Sequence, residues 1–106
     1  MNNINKTAIN EGFTELLLKY VGKPWTEALQ DKLVIKAAQI MYKYGFNDDN
    51  YGSKNFKPVI PGINLIVGYR PLAKILEIKY KTKPSEKWTT VFAAPTYEDG
   101  TDKEVL

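Results

Sequence analysis

Between Thr7 and Val21 the apolar residues Ile9, Phe13, Leu16, Leu17 and Tyr20 recur at i, i+4, i+7, i+8 and i+11, so this stretch is predicted to be an amphipathic helix. Gly22 follows as a left-handed C-terminal cap, and Pro24 stops the helix. A second helix is predicted to start around Pro24 to Thr26, with Glu27 near the positive end of its dipole, and to run to Tyr44. Gly45 closes it, and Phe46 is placed to fold back on the last turn.

The second helix is unusually apolar around its circumference. With Leu29 at the origin and about 100° per residue, Leu33, Ala37, Ile40, Met41 and Tyr44 fall between about 0 and 120°. Val34, Ala38, Tyr42, Ile35 and Ala28 continue from about 140 to 260°. Lys32, Lys36, Gln39 and Lys43 fill only the remaining arc, while Glu27, Gln30 and Asp31 break the apolar surface only near the N-terminal end. Such a helix is covered on more than one side. Either the first helix and a sheet supply both covers, or one of them comes from another chain.

Residues 46–62 are rich in Asn, Asp, Gly and Pro and read as a long loop crossing the surface. Tyr51 and Phe56 stand in it as large aromatic residues among polar ones, either anchoring the loop or meeting a partner; with Tyr42 they are the candidate partner-contacting residues. Ile63 to Tyr69 then reads as a short buried strand that Arg70-Pro71 breaks. From Lys74 the chain alternates, with Leu76, Ile78, Tyr80 and Thr82 on one face and Glu77, Lys79, Lys81 and Lys83 on the other. Residues 75–83 and 88–94 are expected to form a hairpin about the turn Lys83-Pro84-Ser85-Glu86-Lys87. Pro71 to Leu76 would alternatively open a short helix.

Charge sharpens this picture. Across the 106 residues the net charge is +3, yet residues 1–50 are balanced, residues 51–87 carry eight basic groups against two acids, and residues 88–106 carry one Lys against four acids. A basic middle followed by an acidic tail suits a polyanion-binding face with a self-masking tail. Two lysine-rich surfaces would form it: Lys32, Lys36 and Lys43 on helix two, and Lys79, Lys81, Lys83 and Lys87 on the hairpin, with Tyr80 and Trp88 close by. Arg70 is the only arginine, which argues against base-specific readout and leaves non-specific phosphate binding. The abundance of Lys, Asn, Ile and Tyr also fits the codon usage of an A/T-rich genome and a merely solvated surface.

The sequence has no cysteine and no histidine, which removes disulfides, thiolate chemistry, the commonest metal ligand and the commonest general base. Ser53 and Ser85 therefore have no imidazole to activate them, and no glycine-rich phosphate loop is present. Asp48-Asp49-Asn50 lacks the spacing of a calcium loop, and Glu98, Asp99, Asp102 and Glu104 surround a turn at Gly100. No metal and no cofactor are expected. No apolar run approaches the roughly 20 residues of a membrane span, and no signal peptide is visible, so a cytoplasmic location, or one within an assembled particle, is expected.

One motif has a known counterpart. Glu77-Ile78-Lys79, inside Ile75-Leu76-Glu77-Ile78-Lys79-Tyr80-Lys81, resembles the Glu-x-Lys strand of the PD-(D/E)xK nuclease superfamily. The resemblance covers some 20 residues. It implies an acid that holds a divalent metal and a lysine that positions the attacking water. Pro61-Gly62-Ile63 stands where that family has Pro-Asp before an apolar residue, so the aspartate is missing, as is the helix that usually follows the strand. Read from the residues alone, Glu77 belongs to a cross-strand ion pair on a solvated face.

The expected fold is α+β: two N-terminal antiparallel helices packed on a small, about three-stranded, antiparallel sheet with a C-terminal hairpin, as one compact domain over residues 1–95 and an acidic tail over residues 96–106. The function expected first is a non-catalytic protein-interaction or assembly module, such as a small structural subunit, adaptor or inhibitor of a phage or other mobile element, that self-associates or binds a protein partner. A non-specific nucleic-acid-binding domain using the lysine surfaces comes second. A degenerate nuclease comes a distant third.

Overall fold

The computed structural model describes residues 5–44, 59–83 and 85–95. Helix α1 spans Lys6–Tyr20 and helix α2 spans Glu27–Lys43. Strands β1 (Leu65–Arg70), β2 (Ile75–Tyr80) and β3 (Thr89–Ala93) form an antiparallel meander in the order β1-β2-β3. Both helices pack on one face of this sheet, α1 over β3 and α2 over β1. The α+β arrangement expected from the sequence is therefore the one present.

Local chemistry sets the helix ends. Asn5 caps α1, its side-chain oxygen accepting from the Ala8 amide at 3.0 Å. Gly22, with φ of +86°, reverses the chain after α1, a conformation that favours glycine. Helix α2 starts at Glu27, one residue past the expected window, because the Thr26 hydroxyl takes the cap and accepts from the Leu29 amide at 3.0 Å. At its other end Tyr44 is the cap rather than the last helical residue, and its amide reaches the carbonyls of Ile40 and Met41, each at 3.2 Å. The Asn5 amide donates to the Tyr44 carbonyl at 2.9 Å, so the start of α1 is tied to the end of α2 and the helices run antiparallel. Gly12 permits their close approach: a Cβ there would lie 2.9 Å from Cγ2 of Ile40.

The strand alternation holds, but the boundaries move inward. Leu76, Ile78, Tyr80 and Thr82 are all buried, as the period of two requires. Regular pairing nevertheless ends at Tyr80↔Thr89, because the Thr82 amide turns to Glu86 Oε1 at 2.8 Å and shapes the connection to β3. Strand β1 starts at Leu65 rather than Ile63: the Ile60 carbonyl accepts from the amides of Ile63 and Asn64, and the Ile60 amide donates to Asn64 Oδ1 at 2.6 Å. Those bonds fix a turn that leaves Ile63 62% exposed. Arg70 completes β1 opposite Ile75, and Pro71 to Lys74 form a turn with Lys74 at φ of +55° instead of a short helix.

The core lies between the layers. Ile9, Phe13, Leu16 and Leu17 of α1 and Leu33, Ala37 and Met41 of α2 meet Leu65, Val67, Leu76, Ile78, Tyr80 and Ala93 of the sheet. The rings of Phe13 and Tyr80 meet edge to face, with centroids 5.2 Å apart. Trp25 stacks on Tyr69 at 5.5 Å and closes the α2 side. Among the described residues no helix is long and apolar enough to cross a membrane.

Candidate interaction surfaces

Helix α2 spends one of its two apolar arcs on the core. Leu33, Ala37 and Met41 are fully buried, and Leu29, Ile40 and Tyr44 are half-buried beside them. In the second arc Val34, Ala38 and Tyr42 are half-buried against the core, whereas Ala28 is exposed and Ile35 is 60% exposed. Where that arc meets the sheet, Val34, Ile35, Pro61, Leu65, Ile66 and Val67 line an open groove of about 550 Å³. Gln30 and Asp31 are the polar side chains on its wall. Tyr42, the candidate contact residue on this helix, packs against the core; Tyr51 and Phe56 lie outside the described residues, as do most of the 46–62 loop and the acidic tail.

The edges of the sheet differ. The Leu65 carbonyl accepts from the Gly62 amide at 2.8 Å and the Val67 carbonyl from Gln30 Nε2 at 2.9 Å, so the β1 edge is partly covered. These two carbonyls point away from β2, while the neighbouring Asn64 carbonyl accepts from the Lys81 amide at 3.1 Å. Alternation along the ladder then directs the backbone groups of Leu76, Ile78 and Tyr80 toward Ala93, Val91 and Thr89. The amides and carbonyls of Thr90 and Phe92 face outward at the β3 edge, where no hydrogen bond meets them among the described residues.

The lysines fall into two separate groups. Lys36 and Lys43 line a groove of about 310 Å³ between α1 and α2, joined there by Lys19, with Glu15 on the same wall. Lys19 belongs to this group through the helix pairing, which no spacing within one helix reveals. Lys32 sits over the Tyr20 ring at 5.4 Å and Lys43 over the Tyr44 ring at the same distance. Lys79 lies instead on the sheet face turned away from the helices, 3.7 Å from Glu77, and Lys81 covers the Trp88 ring at 4.8 Å. Lys83 and Lys87 are exposed at the hairpin end. The sheet separates Lys79 from the helix-two lysines, so these two do not share one cradle.

Glu77 and Lys79 share a strand face, as their spacing requires, yet the carboxylate is held by Arg70 Nε at 2.8 Å across the β1–β2 pair. This is the cross-strand ion pair anticipated from the residues. Gly62, in the place where a nuclease aspartate would stand, adopts φ of +87° in the turn before β1. No group of three or more His, Cys, Asp or Glu that could hold a metal occurs among the described residues.

A polar cluster joins α1 to the β2–β3 connection. Lys6 Nζ donates to Thr89 Oγ1 at 3.1 Å and lies 3.6 Å from Glu86, whose carboxylate also accepts from the amide and hydroxyl of Thr82. The Tyr80 hydroxyl donates to Asn10 Oδ1. Burial, reinforced by the negative charge of Glu86, pushes the Tyr80 phenol up to about 12. Burial also raises the Glu86 carboxyl, but the Thr82 hydrogen bonds and the Lys6 charge outweigh it and hold the group below its usual value. The cluster is a satisfied network: among the described residues no buried side-chain polar atom lacks a partner.

Comparison of the chain with models of protein families, with curated proteins and with solved structures found no match.

Proposed function

We propose that this chain is a non-catalytic protein-interaction or assembly module. The observation that carries the reading is the second apolar arc of α2, where exposed Ile35 and half-buried Val34 line an open groove with Pro61, Leu65 and Val67 at the β1 edge. Large exposed apolar residues gathered at one place mark a contact surface, whereas scattered ones do not. A second copy of the chain is the occupant proposed for this surface, since a two-fold pairing would let the same apolar residues cover one another. The size and the Lys, Asn and Tyr content suit a small structural subunit, adaptor or inhibitor of a phage or other mobile element.

Sedimentation velocity over a range of protein concentrations tests the reading. A weight-average mass that climbs above the monomer value, and returns to it in Ile35→Lys, supports it. A wild-type chain that stays monomeric throughout overturns self-assembly at this surface.

A second reading rests on the Lys19, Lys36 and Lys43 groove, which gathers positive charge from both helices. Such a groove suits a phosphate backbone, bound without sequence preference and with affinity that falls steeply as salt rises.

A further inference from the structure

Resting on the interaction-module reading, we infer that the open edge of β3 takes up an extended, acidic segment of a protein partner as a fourth, antiparallel strand. The amides and carbonyls of Thr90 and Phe92 supply two donors and two acceptors in line at this edge, with no hydrogen bond among the described residues. Exposed edges of this kind are normally blunted by charge, proline or a covering segment. At β1 Gln30 and Gly62 cover two of the edge carbonyls, but the β3 sequence Thr-Thr-Val-Phe-Ala contains no charge and no proline. Its Phe92 side chain is 62% exposed on the face away from the helices.

The surroundings select the occupant. Lys79 neighbours Thr90 in the ladder, Lys81 lies over Trp88, and Lys87 is exposed just before the strand. Among the described residues the nearby acids are engaged internally, Glu77 with Arg70 and Glu86 with Lys6 and Thr82. A segment with acidic residues on its outer face therefore complements this edge. A second copy of the chain does not fit here. Helix α1 packs over β3, and a copy added antiparallel keeps its helix layer on the same face, so its own α1 would crowd the first across the shared edge. A lone extended segment carries no helix and meets no such clash.

The probe is a synthetic capped hexapeptide of alternating glutamate and valine, followed by amide hydrogen exchange and chemical-shift mapping on the full chain. In the free protein the Thr90 and Phe92 amides are expected to exchange fast while Val91, bonded to β2, is protected. Added peptide is expected to slow both edge amides about tenfold or more, an effect that fades as salt rises. Thr90→Pro removes an outward N–H without costing the β2–β3 ladder a bond, so the slowing of Phe92 should disappear. N-methylation of the peptide's glutamate amides should abolish binding without altering the protein. Protection of Thr90 and Phe92 in the free chain, no effect at millimolar peptide, or a short oligothymidylate slowing the same amides in place of the peptide would each overturn the inference. Ile35→Lys separates this surface from the α2 groove, because it removes self-association and leaves peptide binding intact.

Discussion

Gln30 donates its side-chain amide to the Val67 carbonyl at 2.9 Å, joining α2 to β1 across 37 residues of sequence. The contact holds the α2 side of the molecule to the sheet and occupies an edge carbonyl that would otherwise face the groove. Gln30→Ala leaves that partly buried carbonyl without its donor. The expected loss is about 1 kcal/mol, read as a lower urea midpoint at unchanged slope. An unchanged midpoint would mean that water replaces the amide at no cost.

The Glu86 cluster makes stability depend on pH at both ends. Because the Glu86 carboxyl titrates below its usual value in the fold, its contribution is complete above the unfolded value of 4.5 and is lost as pH falls through the depressed folded value. Tyr80 behaves oppositely. Its contribution is complete below the unfolded value of 10.0 and is lost as pH rises toward about 12. Thermal melts across the acid range should show a limb that flattens in Glu86→Gln, and melts above pH 10 should show a second limb absent from Tyr80→Phe. Acid limbs that coincide in wild type and Glu86→Gln would refute the first assignment.

Gly12 faces Cγ2 of Ile40, where any Cβ would arrive at 2.9 Å. Alanine gains helix propensity of up to about 1 kcal/mol but forces the helices apart, and valine adds bulk and stiffness to the same clash. Gly12→Val is expected to destabilise the chain by about 2 kcal/mol in chemical denaturation. Pairing it with Ile40→Ala should recover part of that loss, and a purely additive double variant would show that the clash is not the cause.

If nucleic acid is the ligand, charge reversal will find the surface. Lys36→Glu with Lys43→Glu should weaken binding of labelled single- and double-stranded DNA and flatten its dependence on salt, with thermal stability retained. Lys79→Glu, on the opposite side of the sheet, should change binding far less. Equal losses from both sites would point to a diffuse field rather than a groove.

The fold could be read from the sequence wherever one periodicity dominated. Ile9 to Tyr20 marked α1, and the alternation through Leu76, Ile78 and Tyr80 marked β2 with its buried face. Boundaries were missed where a side chain overrode the pattern: Thr26 at the cap of α2, Asn64 in the turn before β1, and Glu86 beneath Thr82. The two-sided apolarity of α2 was visible on a helical wheel, but its uncovered part was not, since that depends on which strand lies beside Ile35. Lys19 joined Lys36 and Lys43 only through packing, and the free edge of β3 follows from ladder parity, to which residue type gives no clue.

The bond from the Asn5 amide to the Tyr44 carbonyl closes the helical pair on itself, while the meander is built wholly from neighbours in the chain. The strand pairings of the meander thus close short loops, whereas the Asn5–Tyr44 bond closes a longer one. The links from α1 to the sheet are longer still: Asn10 to Tyr80 spans 70 residues and Lys6 to Thr89 spans 83. Contacts between α1 and the sheet, such as Phe13 with Tyr80, therefore have the greatest loop-closure entropy to offset in ordering the chain.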